Sequence, residues 1–210
     1  MRENRIKKFL AAGLTGLLVL SLCGCGQTAR VPSEVVNTSL VVEKDGRVTS
    51  YLVSTFEKGF YTVDGLEAMV REEADEFNSA HRDGQEDPMT VRSVELLESG
   101  AEVRVIQEFD SADSYAEYNE QDLFYGTRVE ALAKGISVNL GLVDASDGTP
   151  ADSEKLSKAL ENGHLIITNA SAYIYCPYPV LYLSEGVVMG ADGYVDASQS
   201  DGVVTILLKK

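Results

Sequence analysis

The residues best suited to nucleophilic chemistry in this chain are Cys176 and His164. If residues 165–168 and 172–176 pair as a hairpin around Asn169-Ala170-Ser171, His164 falls nearly opposite Cys176. An imidazole beside a thiol lowers its pKa, and the thiolate is the attacking form. Glu161, Asn162 or Asp192 would orient the ring. The same residues also have a structural reading. Cys176 alternates with Tyr173 and Tyr175 in an apolar run and precedes Pro177. A lone cysteine in such a run behaves as a small buried hydrophobe. No flanking pattern of a thiol enzyme surrounds it, so the expectation is a core residue whose replacement by alanine is tolerated.

Other chemistries find less support. His81 and His164 are the only histidines, and no paired His or Cys spacing suits a metal, so neither a metal nor a cofactor is expected. His81 follows Phe77 by four and reads as the cap of a helix end. Asp144, Asp147 and Gly148, and likewise Asp192, Gly193 and Asp196, bring carboxylates near glycines, as calcium loops do. Both lack the alternating ligands and terminal glutamate of an EF-hand. The six Asp-Gly pairs of the chain read instead as turns. Phosphate-cradling glycine motifs and the Gly-x-Ser-x-Gly elbow are absent. The densest aromatic stretch carries Tyr173, Tyr175, Tyr178 and Tyr182. Tyrosines are favoured interface anchors, and Pro177 and Pro179 would hold Tyr178 on a stiff turn, making a recognition patch. Two core strands joined by a proline turn account for the same residues.

The N-terminus carries a different kind of signal. Arg2, Arg5, Lys7 and Lys8 precede an uncharged run of 14 residues, 9–22. That is the length of a signal-peptide core, short of the ~20 residues of a membrane-spanning helix. The run ends in Leu22-Cys23-Gly24-Cys25, with a small residue before Cys25 and an apolar one at −3. This resembles the lipobox of bacterial lipoproteins. The resemblance implies diacylglycerol on Cys25, cleavage before it, and anchoring at the outer face of the cytoplasmic membrane, or of an outer membrane in a Gram-negative cell. Two acyl chains suffice for a stable anchor. Cys23 fits poorly, because Leu22 would then occupy −1.

Residues 1–24 hold four basic residues and one acid, so the remainder holds 14 basic against 32 acidic, a net charge of −18. Such a charge repels nucleic acid and anionic lipid surfaces. With Cys25 acylated, Cys176 has no intramolecular partner, and stability must come from a packed core.

The elements that would position these residues follow from periodicity. Residues 26–38 read as a polar tether. Hairpins are expected around Asp45-Gly46 and Ser99-Gly100. A helix is expected over 62–82, capped by Asp64 with Glu67, its apolar stripe made of Leu66, Met69, Val70, Ala74 and Phe77. Thr127 and Glu130 have capping-box spacing, with Gly135 as the stop. A strand is expected over 136–143 and a helix from Pro150. Short strands follow from His164 onward. The pattern predicts an α+β fold with a largely antiparallel sheet, as a signal peptide (1–24), a lipidated tether (25–38) and one domain (39–210).

Phe60-Tyr61-Thr62-Val63-Asp64 and Tyr115-Ala116-Glu117-Tyr118-Asn119, in this order of hairpins and helices, are similar to a loose class of lipoproteins from anaerobic Gram-positive bacteria. That resemblance implies no activity. The expected role is binding or assembly rather than catalysis, with an envelope protein, a peptide or a small ligand as partner. The alternatives are an envelope thiol enzyme using Cys176 and His164, or a small solute-binding lipoprotein.

Overall fold

The computed structural model describes residues 31–32, 34–56, 62–82 and 86–210. The leader with Cys25, the Phe60-Tyr61 pair and the Asp83-Gly84 turn lie outside the described residues.

Two β-branched runs pair as β1 (Ser39–Val42) and β2 (Val48–Thr55). Gly46 turns the chain between them at φ 92°, a left-handed value that side chains resist. α1 (Val63–His81) opens on Thr62, whose Oγ1 accepts the Gly65 N–H at 3.1 Å. Asp64, the expected cap, lies instead in the first turn, where its charge complements the helix dipole. At the other end His81 Nδ1 reaches the Phe77 carbonyl at 2.9 Å, the capping role expected of it. β3 (Met89–Leu96) and β4 (Glu102–Phe109) form the second hairpin. α2 (Ala112–Asn119) is capped by Ser111, and β5 (Leu123–Gly126) follows. α3 (Arg128–Ala133) carries the reciprocal Thr127–Glu130 capping box, and Gly135 stops it at φ 75°.

Two expectations in the next stretch need correction. The strand expected over 136–143 is β6 (Leu142–Asp144), and residues 136–141 take no strand partner. Pro150 makes an isolated bridge with Val143 rather than opening a helix. α4 (Ser153–Asn162) begins after Asp152, which accepts the N–H groups of Glu154 and Lys155. The strand-rich end comprises β7 (His164–Thr168), β8 (Tyr173–Tyr175), β9 (Val180–Ser184), β10 (Val188–Met189), β11 (Val195–Asp196) and β12 (Val204–Leu208).

The strands build two sheets, in the order β10-β11-β8-β1-β2-β4-β3 and β5-β7-β12-β9-β6. Every strand pairing is antiparallel except β1 with β8, so the fold is α+β and largely antiparallel. The inner face of the first sheet, with Leu40, Val42, Val105 and Phe109, shares one core with Val70 and Ala74 of α1, Tyr115 of α2, and Ile166 and Ile206 of the second sheet. The far face of the second sheet buries Phe124, Leu165, Ile167 and Leu207 against Ala131 of α3 and Leu156 and Leu160 of α4. β7 and β12 are therefore covered on both faces, which is why both read as unbroken apolar runs.

α1 packs mainly over β3, at the edge of the first sheet, and this sets its rotation. Its buried residues are Val70, Ala74 and Asn78, while Met69 is 50% exposed, against the expectation that Met69 lies in the core. Asn78 decides the seam. Its amide donates to the Met89 carbonyl at 2.9 Å and accepts the Met89 N–H at 3.0 Å. Arg71 donates to the Val91 carbonyl at 3.1 Å. Side chains of α1 thus occupy backbone groups on the free edge of β3, which would otherwise recruit another strand.

The expected tether also ends sooner than residue 38. Val35 is buried, and Arg104 Nη1 donates to its carbonyl at 2.6 Å. Thr38 Oγ1 donates to the Val53 carbonyl and accepts the Val53 N–H, each at 3.1 Å. These contacts lay the segment before β1 across the outer face of the first sheet.

Candidate binding site

The hairpin expected to join His164 and Cys176 does not form. β7 pairs with β12 and β5 in the second sheet, whereas β8 pairs with β1 and β11 in the first. Both strands satisfy their backbone groups with other partners, so the chain crosses from one sheet to the other at residues 169–172. Cys176 is 4% exposed, and its Sγ lies 3.9 Å from the Ile174 carbonyl. Burial pushes its thiol up to about 12. The thiol therefore stays protonated at neutral pH, and the protonated form is not the nucleophile. His164 faces other groups. Its Nε2 is 3.2 Å from Lys210 Nζ, and its ring packs against Tyr125 and Tyr178, with centroids 5.4 and 6.0 Å away. Burial, then Lys210, holds its pKa below the ordinary value.

The four tyrosines of the expected recognition patch are dispersed. Tyr173 stacks on Tyr194 at 4.6 Å, and Tyr175 tilts against the same ring at 5.7 Å, on the outer face of the first sheet. Tyr178 stands at one end of the sheets, beside His164 and under Lys44. Tyr182 is buried on the helix-covered face of the second sheet. Alternation along β8 and β9, with a crossing between sheets, sends them to three surroundings.

Three of the four aspartates considered as calcium ligands are engaged locally. Asp144 accepts from the N–H and hydroxyl of Ser146, Asp147 from those of Thr149, and Asp196 from those of Ser198. Each is a side chain closing its own turn. Among the described residues no group of three or more His, Cys, Asp or Glu is placed to hold a metal ion.

The arrangement that can do something is a groove between α1 and the first sheet. α1 leans toward β3 and α2 toward β5, which leaves the inner face of β2 and β4 open between them. Leu52 and Val105, directly paired across β2 and β4, form its floor. Leu66, Met69 and Val70 make one wall and Tyr118 the other, around about 740 Å³. Leu52 is 48% exposed and Met69 50%, although Met69 occupies a position that helical periodicity assigns to the core. Polar side chains, among them Ser54, Thr55, Glu73, Gln107 and Asn119, stand beside the apolar ones. Gln107 Nε2 donates to Tyr118 Oη at 3.4 Å, and burial followed by the nearby Glu73 charge raises the Tyr118 hydroxyl pKa.

No known protein family, curated protein or solved structure matches the chain.

The groove was not legible in the sequence. Leu66, Met69 and Val70 read as ordinary core positions of a helix, and Met69 is exposed because α1 packs on β3 rather than on β2. Among the described residues no helix is long and apolar enough to cross a membrane.

Proposed function

We propose that the chain is a lipid-anchored extracytoplasmic protein that binds a partner through the groove between α1 and the first sheet. The exposure of Leu52 and Met69 over a floor of β-strand side chains carries this reading. A groove of this size with an apolar floor beside a helix accepts apolar side chains of a protein or peptide. Methionine at its rim adapts to partners of different shape. The basic leader, the uncharged run and the Leu22-Cys23-Gly24-Cys25 ending support the anchor. The state of Cys176, buried and protonated, supports binding over thiol chemistry.

Two measurements test the reading. Cys25→Ala should release the protein from membranes or leave it unprocessed, while Cys23→Ala changes neither fractionation nor acyl labelling. Labelling retained in the Cys25 variant would move the anchor to Cys23. For the groove, a photo-crosslinking residue at position 52 or 69 should trap one discrete partner in intact cells, and the same residue at position 72, on the solvated side of α1, should not. No adduct at 52 and 69, or an equal one at 72, would remove the groove from the proposal.

A further inference from the structure

The chain enters the domain at one particular end of the sheets. Val35 lies over the outer face of the first sheet, bonded to Arg104, whereas Val31 lines a hollow with Lys44, Arg47 and Pro177. The segment before β1 therefore comes in from the end that carries the β1–β2 turn. Cys25 stands six residues ahead of Val31, a reach of at most ~22 Å for extended chain. Lipid on Cys25 would keep this end, rather than the opposite one, beside the bilayer surface.

The side chains gathered there suit such a surface. Among the described residues, seven ion pairs join Lys or Arg to an acid. Lys44, Arg128, Lys155, Lys209 and Lys210 take part in none of them, and four of these five converge on this end. Lys44 Nζ lies over the Tyr178 ring, 5.4 Å from its centroid. That ring is 6.0 Å from the ring of His164, whose Nε2 is 3.2 Å from Lys210 Nζ. The Lys209 N–H donates to the Pro179 carbonyl at 2.8 Å. Arg128 opens α3 just beyond Gly126, which pairs with Leu165 beside His164. The acids flanking these cations along the chain are Glu43, Asp45, Glu130 and Glu161. Asp45 already pairs with Arg47 at 2.8 Å, and Glu130 accepts the Thr127 N–H at 2.7 Å.

With a net charge of −18 beyond residue 24, an anionic surface repels most faces of the domain. It repels least the face whose cations lack acidic partners, and this preference acts within the ~8 Å Debye length of physiological salt. A short tether delivers that same face to the surface.

We propose that the domain rests on the anionic lipid headgroups of its membrane through this end, with Lys44, Lys209 and Lys210 toward the phosphates. The seating rests on the reading of Cys25 as the anchor. β2 runs eight residues away from this end, about 25 Å. The groove beside α1 reaches Thr55, Phe56 and Thr62 at the far end of β2, so the seating holds it clear of the bilayer and open to a partner.

Two exposed glutamates make a matched pair of reporter positions, because the chain has no tryptophan. Glu43 lies at the β1–β2 turn and Glu98 in the β3–β4 turn, at opposite ends of the first sheet. Full-length acylated Glu43→Trp and Glu98→Trp are reconstituted in vesicles of phosphatidylglycerol and phosphatidylcholine with a headgroup spin label. Glu43→Trp emission should be quenched about twofold, while Glu98→Trp, about 25 Å further out, should keep its emission. Lys44→Glu combined with Lys210→Glu should restore most of the Glu43→Trp emission without lowering the melting temperature, and vesicles of phosphatidylcholine alone should do the same. Equal quenching of the two reporters, stronger quenching of Glu98→Trp, or quenching indifferent to the charge reversal would overturn the seating. Flotation separates this outcome from failure of the anchor. Protein that floats with the vesicles but leaves Glu43→Trp unquenched refutes the seating alone, whereas protein that does not float refutes the anchor and the seating with it.

Discussion

Asn78 offers the sharpest test of how α1 is seated. It is a polar residue, 6% exposed, whose amide bonds both the N–H and the carbonyl of Met89, itself 1% exposed. Asn78→Ala strands both backbone groups on the edge of β3. Each unsatisfied buried group costs about 1–3 kcal/mol. Water reaching this sheet edge would recover part of that, so a net loss of about 2–4 kcal/mol is expected. In a domain of this size, 1 kcal/mol lowers the melting temperature by roughly 2–4 °C, so calorimetry should show a fall of about 5–15 °C. Hydrogen exchange at the Met89 amide should accelerate in the same variant. Asn78→Asp separates geometry from volume. At pH 7 its carboxylate still accepts the Met89 N–H but repels the Met89 carbonyl, so the variant should be at least as unstable as the alanine. Acidification that protonates the carboxyl restores a donor and should recover part of the loss. A melting shift under 2 °C for Asn78→Ala, with Met89 exchange unchanged, would refute this seating of α1.

Val70→Asp should unfold the domain or cost several kcal/mol by burying an unpaired carboxylate, whereas Met69→Asp, half-exposed in the groove, should shift melting no more than about 1 kcal/mol; thermal melts of the two, with Glu72→Ala as reference, decide it. Cys176→Ala should leave the fold intact at a cost of about 1–2 kcal/mol, and iodoacetamide should label native Cys176 slowly. Rapid labelling that His164→Ala slows would restore the thiol-enzyme reading. His164 has its pKa held below the ordinary 6.5 by burial and Lys210, so its neutral form is the stabilised one in the folded state. Its contribution is full above pH 6.5 and is lost as pH falls through that value toward the lower folded one. Melting temperatures of wild type and His164→Gln should therefore converge between pH 7.5 and 5.5, and parallel curves would contradict the assignment.

Local signals in the sequence decided the elements whose causes are local. Asp45-Gly46 and Ser99-Gly100 specify their hairpins because a left-handed glycine is needed there whatever surrounds it. Thr127 and Glu130 cap α3 because the reciprocal bonds span only three residues. The α+β class was legible for the same reason, as helical and alternating periods are read one segment at a time. What escaped depends on partners distant in the chain. β7 and β8 look like a hairpin, but each meets a better partner in a different sheet, so His164 and Cys176 part and the four tyrosines disperse. Met69 keeps helical period with Val70, yet Asn78, bonding an edge strand eleven residues away in sequence, rotates α1 so that one is exposed and the other buried. Periodicity reports which residues share a face of an element, whereas what covers that face is settled only when the elements pack.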